Sequence, residues 1–164
     1  MTSLLQPYSF GSETFITPWT DPVLPSPLLS LVADGVTEGY EWVGDFPTCW
    51  RERPFLDAGE GLFVAWAKEQ DGGIPLGMAC LSADPHVADP DTGRLRYIYI
   101  HPNGRNRRLA ERLLQACLAR ARPRWRRLRL HTVNPLAARL YERYGFRPIT
   151  GEARATHALD LGRR

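Results

Sequence analysis

Three arginines, Arg105, Arg107 and Arg108, fall within HPNGRNRRLA (101–110), where a strand-like run gives way to a helix-like one. A chain that passes from strand to helix leaves the first backbone N–H groups of the helix without intrahelical acceptors, and such a terminus attracts phosphate. Two proton-carrying side chains follow downstream. His131 lies in LRLHT and Tyr141 in NPLAARLYERYGF. An imidazole titrates near pH 6.5 and a phenol near pH 10, so both types can exchange protons with a reacting group. Each has a plainer reading. The arginines would form a solvated basic turn, His131 a structural strand residue, and Tyr141 a core residue with a satisfied hydroxyl.

Elements of several kinds must position these groups. Leu62–Glu69 and Ile74–Ala83 read as the two strands of an antiparallel hairpin, with Asp71-Gly72-Gly73 as its turn. Leu95–His101 alternates, with Leu95, Tyr97 and Tyr99 expected on one face and Ile98 and Ile100 on the other. Pro102 ends that strand. Leu109, Leu113, Cys117 and Ala121 recur at four-residue spacing, with Leu114 and Leu118 beside them. That is one apolar face of a helix spanning 104–122. Trp125–Val133 reads as a strand. Asn134-Pro135 is an N-cap with proline in the first turn, opening a helix to Tyr144, and Gly145 stands at a left-handed C-cap. Phe146–Thr150 and Ala153–Leu161 read as closing strands.

The first sixty residues are less regular. Phe15–Thr17 suggests a short strand, and Ser26-Pro27 an N-cap opening Leu28–Ala33. The pattern predicts a mixed, largely antiparallel α/β sheet with interspersed helices.

Composition narrows the function classes. A chain of 164 residues is most simply one domain, and at 43% hydrophobic and 24% charged it is ordinary for a globular protein. Three widely spaced cysteines without a CxxC pair suggest neither a disulfide framework nor a zinc site, and fit a reducing cytoplasm. MTSLLQPYSF lacks a basic n-region, and no 18-residue apolar run is present, so neither a leader nor a membrane span is expected. Residues 1–60 carry nine acids against two arginines, whereas residues 94–129 carry twelve arginines against one acid. A solvated helix face accounts for this. So does an anionic ligand on the second half and a cationic one on the first. The arginines are not interleaved with aromatics, which weakens a nucleic-acid reading.

Three motifs in this order resemble the GNAT superfamily of acyl-CoA-dependent N-acetyltransferases. The first is the strand end Ile98-Tyr99-Ile100-His101-Pro102. The second is Arg105-Asn106-Arg107-Arg108-Leu109-Ala110, similar to the family's [Q/R]-x-x-G-x-[G/A]. The third and most specific is the set Asn134, Ala137, Leu140, Tyr141, Gly145 and Phe146. The resemblance covers 61–161 best. It implies a single GNAT-like domain over 1–164, with a twisted sheet of six to seven strands, about four helices and a splayed central strand pair. Residues 1–60 would form the acceptor side. Arg108 replaces the family's glycine. In a first helical turn its φ would be negative, and its side chain would either add a contact to phosphate or obstruct the loop and weaken CoA binding.

The resemblance implies acetyl-CoA as co-substrate, no metal, and an amine acceptor. The backbone of Ile98, Tyr99 and Ile100 would hold the thioester and the pantetheine arm. Arg105, Asn106, Arg107, Arg108, Leu109 and Ala110 would hold the pyrophosphate. Asn134, Ala137 and Tyr141 would share a helix face toward the pantetheine. Tyr141 is the candidate general acid toward the departing thiolate, and His131 the candidate base. Arg96 and Tyr97 stand where other members place a glutamate, so that route to a base is absent. Glu60 and Asp84 are outside candidates, and His86, His101 and His157 read as surface or loop residues. Trp42 and Trp50, beside the acidic balance, suit a cationic amine; a core or homodimer contact is their bland alternative. The rival to an enzyme is a module of the same fold that binds CoA or another nucleotide without catalysis.

Overall fold

The structure, a computed structural model, describes residues 13–69 and 72–162. The stretch MTSLLQPYSF and Asp71 of the expected hairpin turn lie outside the described residues. In chain order come β1 (Thr14–Trp19), α1 (Ser26–Thr37), a 3-10 turn (Glu41–Asp45), α2 (Phe46–Glu52), β2 (Gly61–Glu69), β3 (Gly72–Ala83) and β4 (Thr92–Ile100). After a second 3-10 turn (Pro102–Gly104) follow α3 (Leu109–Ala121), β5 (Arg127–Leu130), α4 (Pro135–Arg143), β6 (Arg147–Pro148) and β7 (His157–Asp160). The seven strands form one sheet in the order β1-β2-β3-β4-β5-β7-β6. Its neighbours are antiparallel except β4 and β5, which run parallel.

Helices cover both faces, and the alternation along β2 shows why. Leu62 and Val64 point to one side, where they pack with Leu28, Leu31 and Val32 of α1 and Phe46 and Trp50 of α2. Phe63, Ala65 and Ala67 point to the other, against Leu109, Leu113, Leu114, Cys117 and Leu118 of α3. A strand covered on both faces reads as a continuous apolar run rather than an alternating one. Each leucine that α3 buries contributes about 2 kcal/mol by removing apolar surface from water.

Several boundaries differ from the sequence reading. Pro25, not Ser26, occupies the N-cap of α1, so no side-chain oxygen caps that helix, and it runs on to Thr37. β5 ends at Leu130 because the next backbone N–H groups turn to hydroxyls. That of Thr132 donates to Thr156 Oγ1 at 3.0 Å, and that of Asn134 to Thr132 Oγ1 at 3.1 Å. α3 begins at Leu109 rather than 104, since residues 105–108 form an irregular turn. Among the described residues no helix is long and apolar enough to cross a membrane.

Candidate active site

β4 sets the geometry. Its pairing with β3 steps from Met78↔Tyr99 to Cys80↔Arg96, so two residues of β4, Tyr97 and Ile98, oppose the single residue Ala79. Tyr97 takes the extra step in the left-handed region, at φ 55°. A bulge of this kind flips the face of everything on one side of it. Leu95 therefore joins the α3 side of the core, while Tyr97 and Tyr99 pack on the α1 side. This corrects the expected alternation, which placed Leu95, Tyr97 and Tyr99 together.

β5 pairs with β4 only through Thr92↔Arg127, Gly93↔Leu128 and Arg94↔Arg129. Beyond that apex the strands part, and the β5-facing edge of Leu95–Ile100 has no strand partner among the described residues. A cleft of about 790 Å³ fills the opening. Its lining includes Ile98, Ile100, Ala137, Leu140 and Tyr141 on the α3 and α4 side, and Tyr40, Trp42, Asp45, Tyr97 and Tyr99 on the α1 side. The gap thus joins the two faces of the sheet.

At one end lies the Arg-rich loop. Asn106 (φ 64°) and Arg108 (φ 56°) are both left-handed. Arg108 is the N-cap of α3, not a first-turn residue, and its side chain caps nothing. The expected negative φ is thus overturned. A left-handed residue is what the family's glycine would supply freely, and an arginine there costs roughly 1 kcal/mol. The first N–H groups of α3, from Leu109 onward, open at this loop. Leu109 offers only backbone, because its side chain is buried in the core. Ala110 lines the cleft, Asn106 is exposed and Arg107 is partly exposed. Arg105 is already engaged. Its Nη2 meets Glu38 Oε2 at 2.6 Å and donates to the Ile100 carbonyl at 3.2 Å. Tyr99 O–H donates to Glu38 Oε1 at 2.7 Å, which ties the loop to the C-terminus of α1.

Across the gap stands α4. Asn134 caps it as expected, accepting from the N–H groups of Leu136 at 2.9 Å and Ala137 at 3.5 Å. Gly145, at φ 97°, closes it. Tyr141 is 7% exposed, packs edge-on against Phe146 and lines the cleft. Its hydroxyl makes no hydrogen bond to another described residue. Burial, with the nearby Cys117, pushes its pKa well above the ordinary phenol value, so it stays protonated at neutral pH. His131 sits in the loop just past β5, not on the strand, and is exposed at the cleft wall.

Other expected candidates resolve differently. Trp50 is a core residue whose Nε1–H donates to the Pro22 carbonyl at 2.7 Å, whereas Trp42 is 49% exposed on the cleft. Glu60 is buried and takes both Arg53 Nη1 and Nη2 at 2.8 Å. Asp84 is buried against Arg129 Nε at 2.8 Å, with Arg94 Nη1 at 3.6 Å. Burial opposes both charges, but these hydrogen bonds outweigh it and hold both carboxyls below their usual range. Ionised, paired carboxylates of this kind are structural rather than basic. His157 is buried, not superficial, between Thr156 and Glu142. Among the described residues no group of three His, Cys, Asp or Glu side chains is placed to hold a metal ion.

The sequence reading missed Tyr40, Asp45, Arg94 and Arg154 as cleft residues. Arg96, read at the position where other members place a glutamate, shares the α1 side with Tyr97 and stacks over its ring at 5.2 Å. Arg154 arrives from a turn about sixty residues downstream of β4, and no spacing signals that.

The sequence pattern of the acetyltransferase (GNAT) family matches residues 29–146, so it includes most of α1 and all of α2. No curated protein matches the chain. A solved structure from Exiguobacterium sp. 255-15, provisionally described as an acetyltransferase, is 27% identical and superposes with a TM-score of 0.76, covering 90% of this chain and 93% of that one. An N-acetyltransferase from Staphylococcus aureus Mu50 is 21% identical, at TM-score 0.68, over 92% of this chain and 100% of that one. A GNAT-family acetyltransferase from Streptococcus pneumoniae is 18% identical, at TM-score 0.65, over 89% and 95%. The last two show likeness of fold.

Proposed function

The chain belongs to the acetyltransferase (GNAT) family, and from that premise we propose that it moves acetyl from acetyl-CoA to a primary amine of a small molecule or peptide N-terminus, by direct attack. One observation carries the reading: the unpaired edge of β4 and the buried phenol of Tyr141 line the same cleft. Acetyl-CoA brings the acetyl group as a thioester. The N-terminus of α3 and the loop 105–110 take the pyrophosphate, where unpaired N–H groups and Arg107 and Arg108 are at hand. The free backbone along Leu95–Ile100 takes the pantetheine amides, as an added strand would. A backbone N–H at the bulge faces the carbonyl oxygen as negative charge develops there.

The amine enters from the α1 side and its nitrogen bonds to the carbonyl carbon as the carbon–sulphur bond breaks. Tyr141 gives its proton to the sulphur and regains one from solvent. The amine gives up its proton to His131 or to water; His131 stands exposed on the cleft wall within the same opening.

Two measurements test this. Acetyl-CoA at 100 times its dissociation constant stabilises a binding protein by about 2.7 kcal/mol, read as a rise in Tm. Free thiol should then appear when small amines and peptides are added. Stabilisation without thiol release from any amine would mark a non-catalytic binding module instead.

A further inference from the structure

The apex of the cleft carries a cluster of positive charge that the transfer reaction as described leaves unused. Arg94, Arg96 and Arg154 line the opening together with His86, an imidazole held toward its neutral form, and the one carboxylate of the lining, Asp45, ends the 3-10 turn beside Tyr97. The arginines are placed by the fold rather than left on its surface. Arg94 and Arg96 lie two residues apart, on the same side of β4 as Ser82 and Cys80, just before the bulge. Arg96 is held over the rings of Phe55 and Tyr97, both at 5.2 Å. Arg154 is left-handed at φ 60°, and the turn that carries it is fastened from beneath. Arg94 Nη2 donates to the Arg154 carbonyl, and Arg129 Nη2 donates to the Ala153 carbonyl at 2.8 Å. Non-glycine residues persist in such conformations where the surroundings impose them, commonly at functional sites.

The charges beneath do not neutralise this cluster. Arg94, Arg127 and Arg129 share two carboxylates, Asp84 and Glu152. One positive charge is left over, and Arg94 Nη1, in a residue 8% exposed, has no hydrogen-bond partner among the described residues. No ion pair involves Arg96 or Arg154 among the described residues. His86 is held below its usual pKa, first by burial and then by Arg94. The coenzyme's phosphates are not the anions in question. Arg94 lies six residue steps along β4 from Ile100 at the pyrophosphate end, roughly 20 Å of strand.

We infer that the acceptor is an amine that also bears a carboxylate, received by Arg96 and Arg154 above Arg94, with its amine end toward the bulge. Forked guanidinium groups suit a planar carboxylate. This rests on the transfer reaction proposed above, deepens it, and replaces the cationic acceptor expected from the acidic N-terminal half.

The test compares ω-amino acids with their amides, which present nearly the same amine without the negative charge. Thiol release and calorimetric binding to the CoA-saturated protein are read in parallel. The acids should exceed the amides by roughly tenfold or more in kcat/KM or in affinity, the scale of a hydrogen bond to a charged group. Arg154→Gln, at an exposed position, should bring the ratio toward one while the KM for acetyl-CoA stays unchanged. Amides that match the acids in both readouts overturn the inference. So does a ratio that survives Arg96→Gln with Arg154→Gln, or a panel in which nothing binds or reacts. A ratio kept in calorimetry without thiol release supports the carboxylate site and counts against acetyl transfer.

Discussion

Tyr141, the proposed general acid, is marked by its spacing in NPLAARLYERYGF, and it lies buried against Phe146 in the lining of the cleft, where its phenol stays protonated. Replacing it with phenylalanine leaves the ring packing against Phe146 and removes only the proton. We predict a fall in kcat of about 10²-fold or more, the usual worth of a positioned general acid, with little change in the KM for acetyl-CoA. Full turnover in Tyr141→Phe would end the assignment. Arg108 is the opposite case. The sequence identified a missing glycine but assigned the position a helical φ, because the helix start was placed five residues early. At φ 56° the arginine is strained. Arg108→Gly should therefore raise stability by about 0.5 kcal/mol, the left-handed penalty offset in part by the freedom of glycine in the unfolded chain, measured by urea titration. Weaker CoA binding in the same variant would assign the guanidinium a phosphate contact, and equal binding a solvent-facing role.

Among the elements, β4 and α4 contrast in how far they could be read. α4 announces both ends locally, with Asn134 as a cap that accepts two backbone N–H groups and Gly145 in the left-handed C-cap. The bulge in β4 has no such signature. Whether Tyr97 continues the alternation or breaks it depends on register against β3, a contact the strand's own residues do not encode. The closing strands shrink to Arg147–Pro148 and His157–Asp160 for a similar reason: side-chain pattern marks burial, whereas ladder hydrogen bonds set the ends. The apex of the splay is the element most open to test. A Cβ on Gly93 would meet Trp125 Cδ2 at 2.6 Å and Leu128 Cδ2 at 2.9 Å, where β4 and β5 begin to part. Gly93→Ala should cost about 1–3 kcal/mol by overpacking and reduce transfer by moving the strands. Unchanged stability would show that Trp125 yields easily and that the apex is not rigid.

For the whole molecule, charge is the lesson. The arginine excess over 94–129 invited a solvated basic face, yet Arg129 is fully buried and Arg94 nearly so, and both answer Asp84 across the sheet. Sequence alone does not show which charges are neutralised, because these partners lie ten to forty-five positions apart. The consequence is a pH dependence of stability. Asp84, Glu60 and Glu38 are held below their usual carboxylate values, and Glu152, between Arg127 and Arg129, at about 2. Such groups bind protons more weakly folded than unfolded, so their contribution is complete above the unfolded values near pH 4. It is lost as the pH falls toward 2. Urea midpoints should slip slightly as the pH falls from 7 through the unfolded imidazole value near 6.5, because folded His86 also binds its proton more weakly, and then drop more steeply below about 5. Asp84→Asn, which removes the nearer of the two carboxylates paired with buried Arg129 and the only one paired with Arg94 among the described residues, should cost about 3 kcal/mol at pH 7 and flatten the acid limb; an acid limb of the same steepness would place the responsible carboxylates elsewhere.

The central claim is that acyl transfer takes place in the gap between β4 and β5, with backbone on one wall and Tyr141 on the other. A crystal structure with acetyl-CoA tests it directly. The account predicts the pyrophosphate at the start of α3, the thioester oxygen within hydrogen-bond distance of a backbone N–H in Tyr97–Tyr99, and the sulphur facing the Tyr141 hydroxyl. Acetyl-CoA bound outside the gap, or a thioester turned away from both β4 and Tyr141, would contradict it.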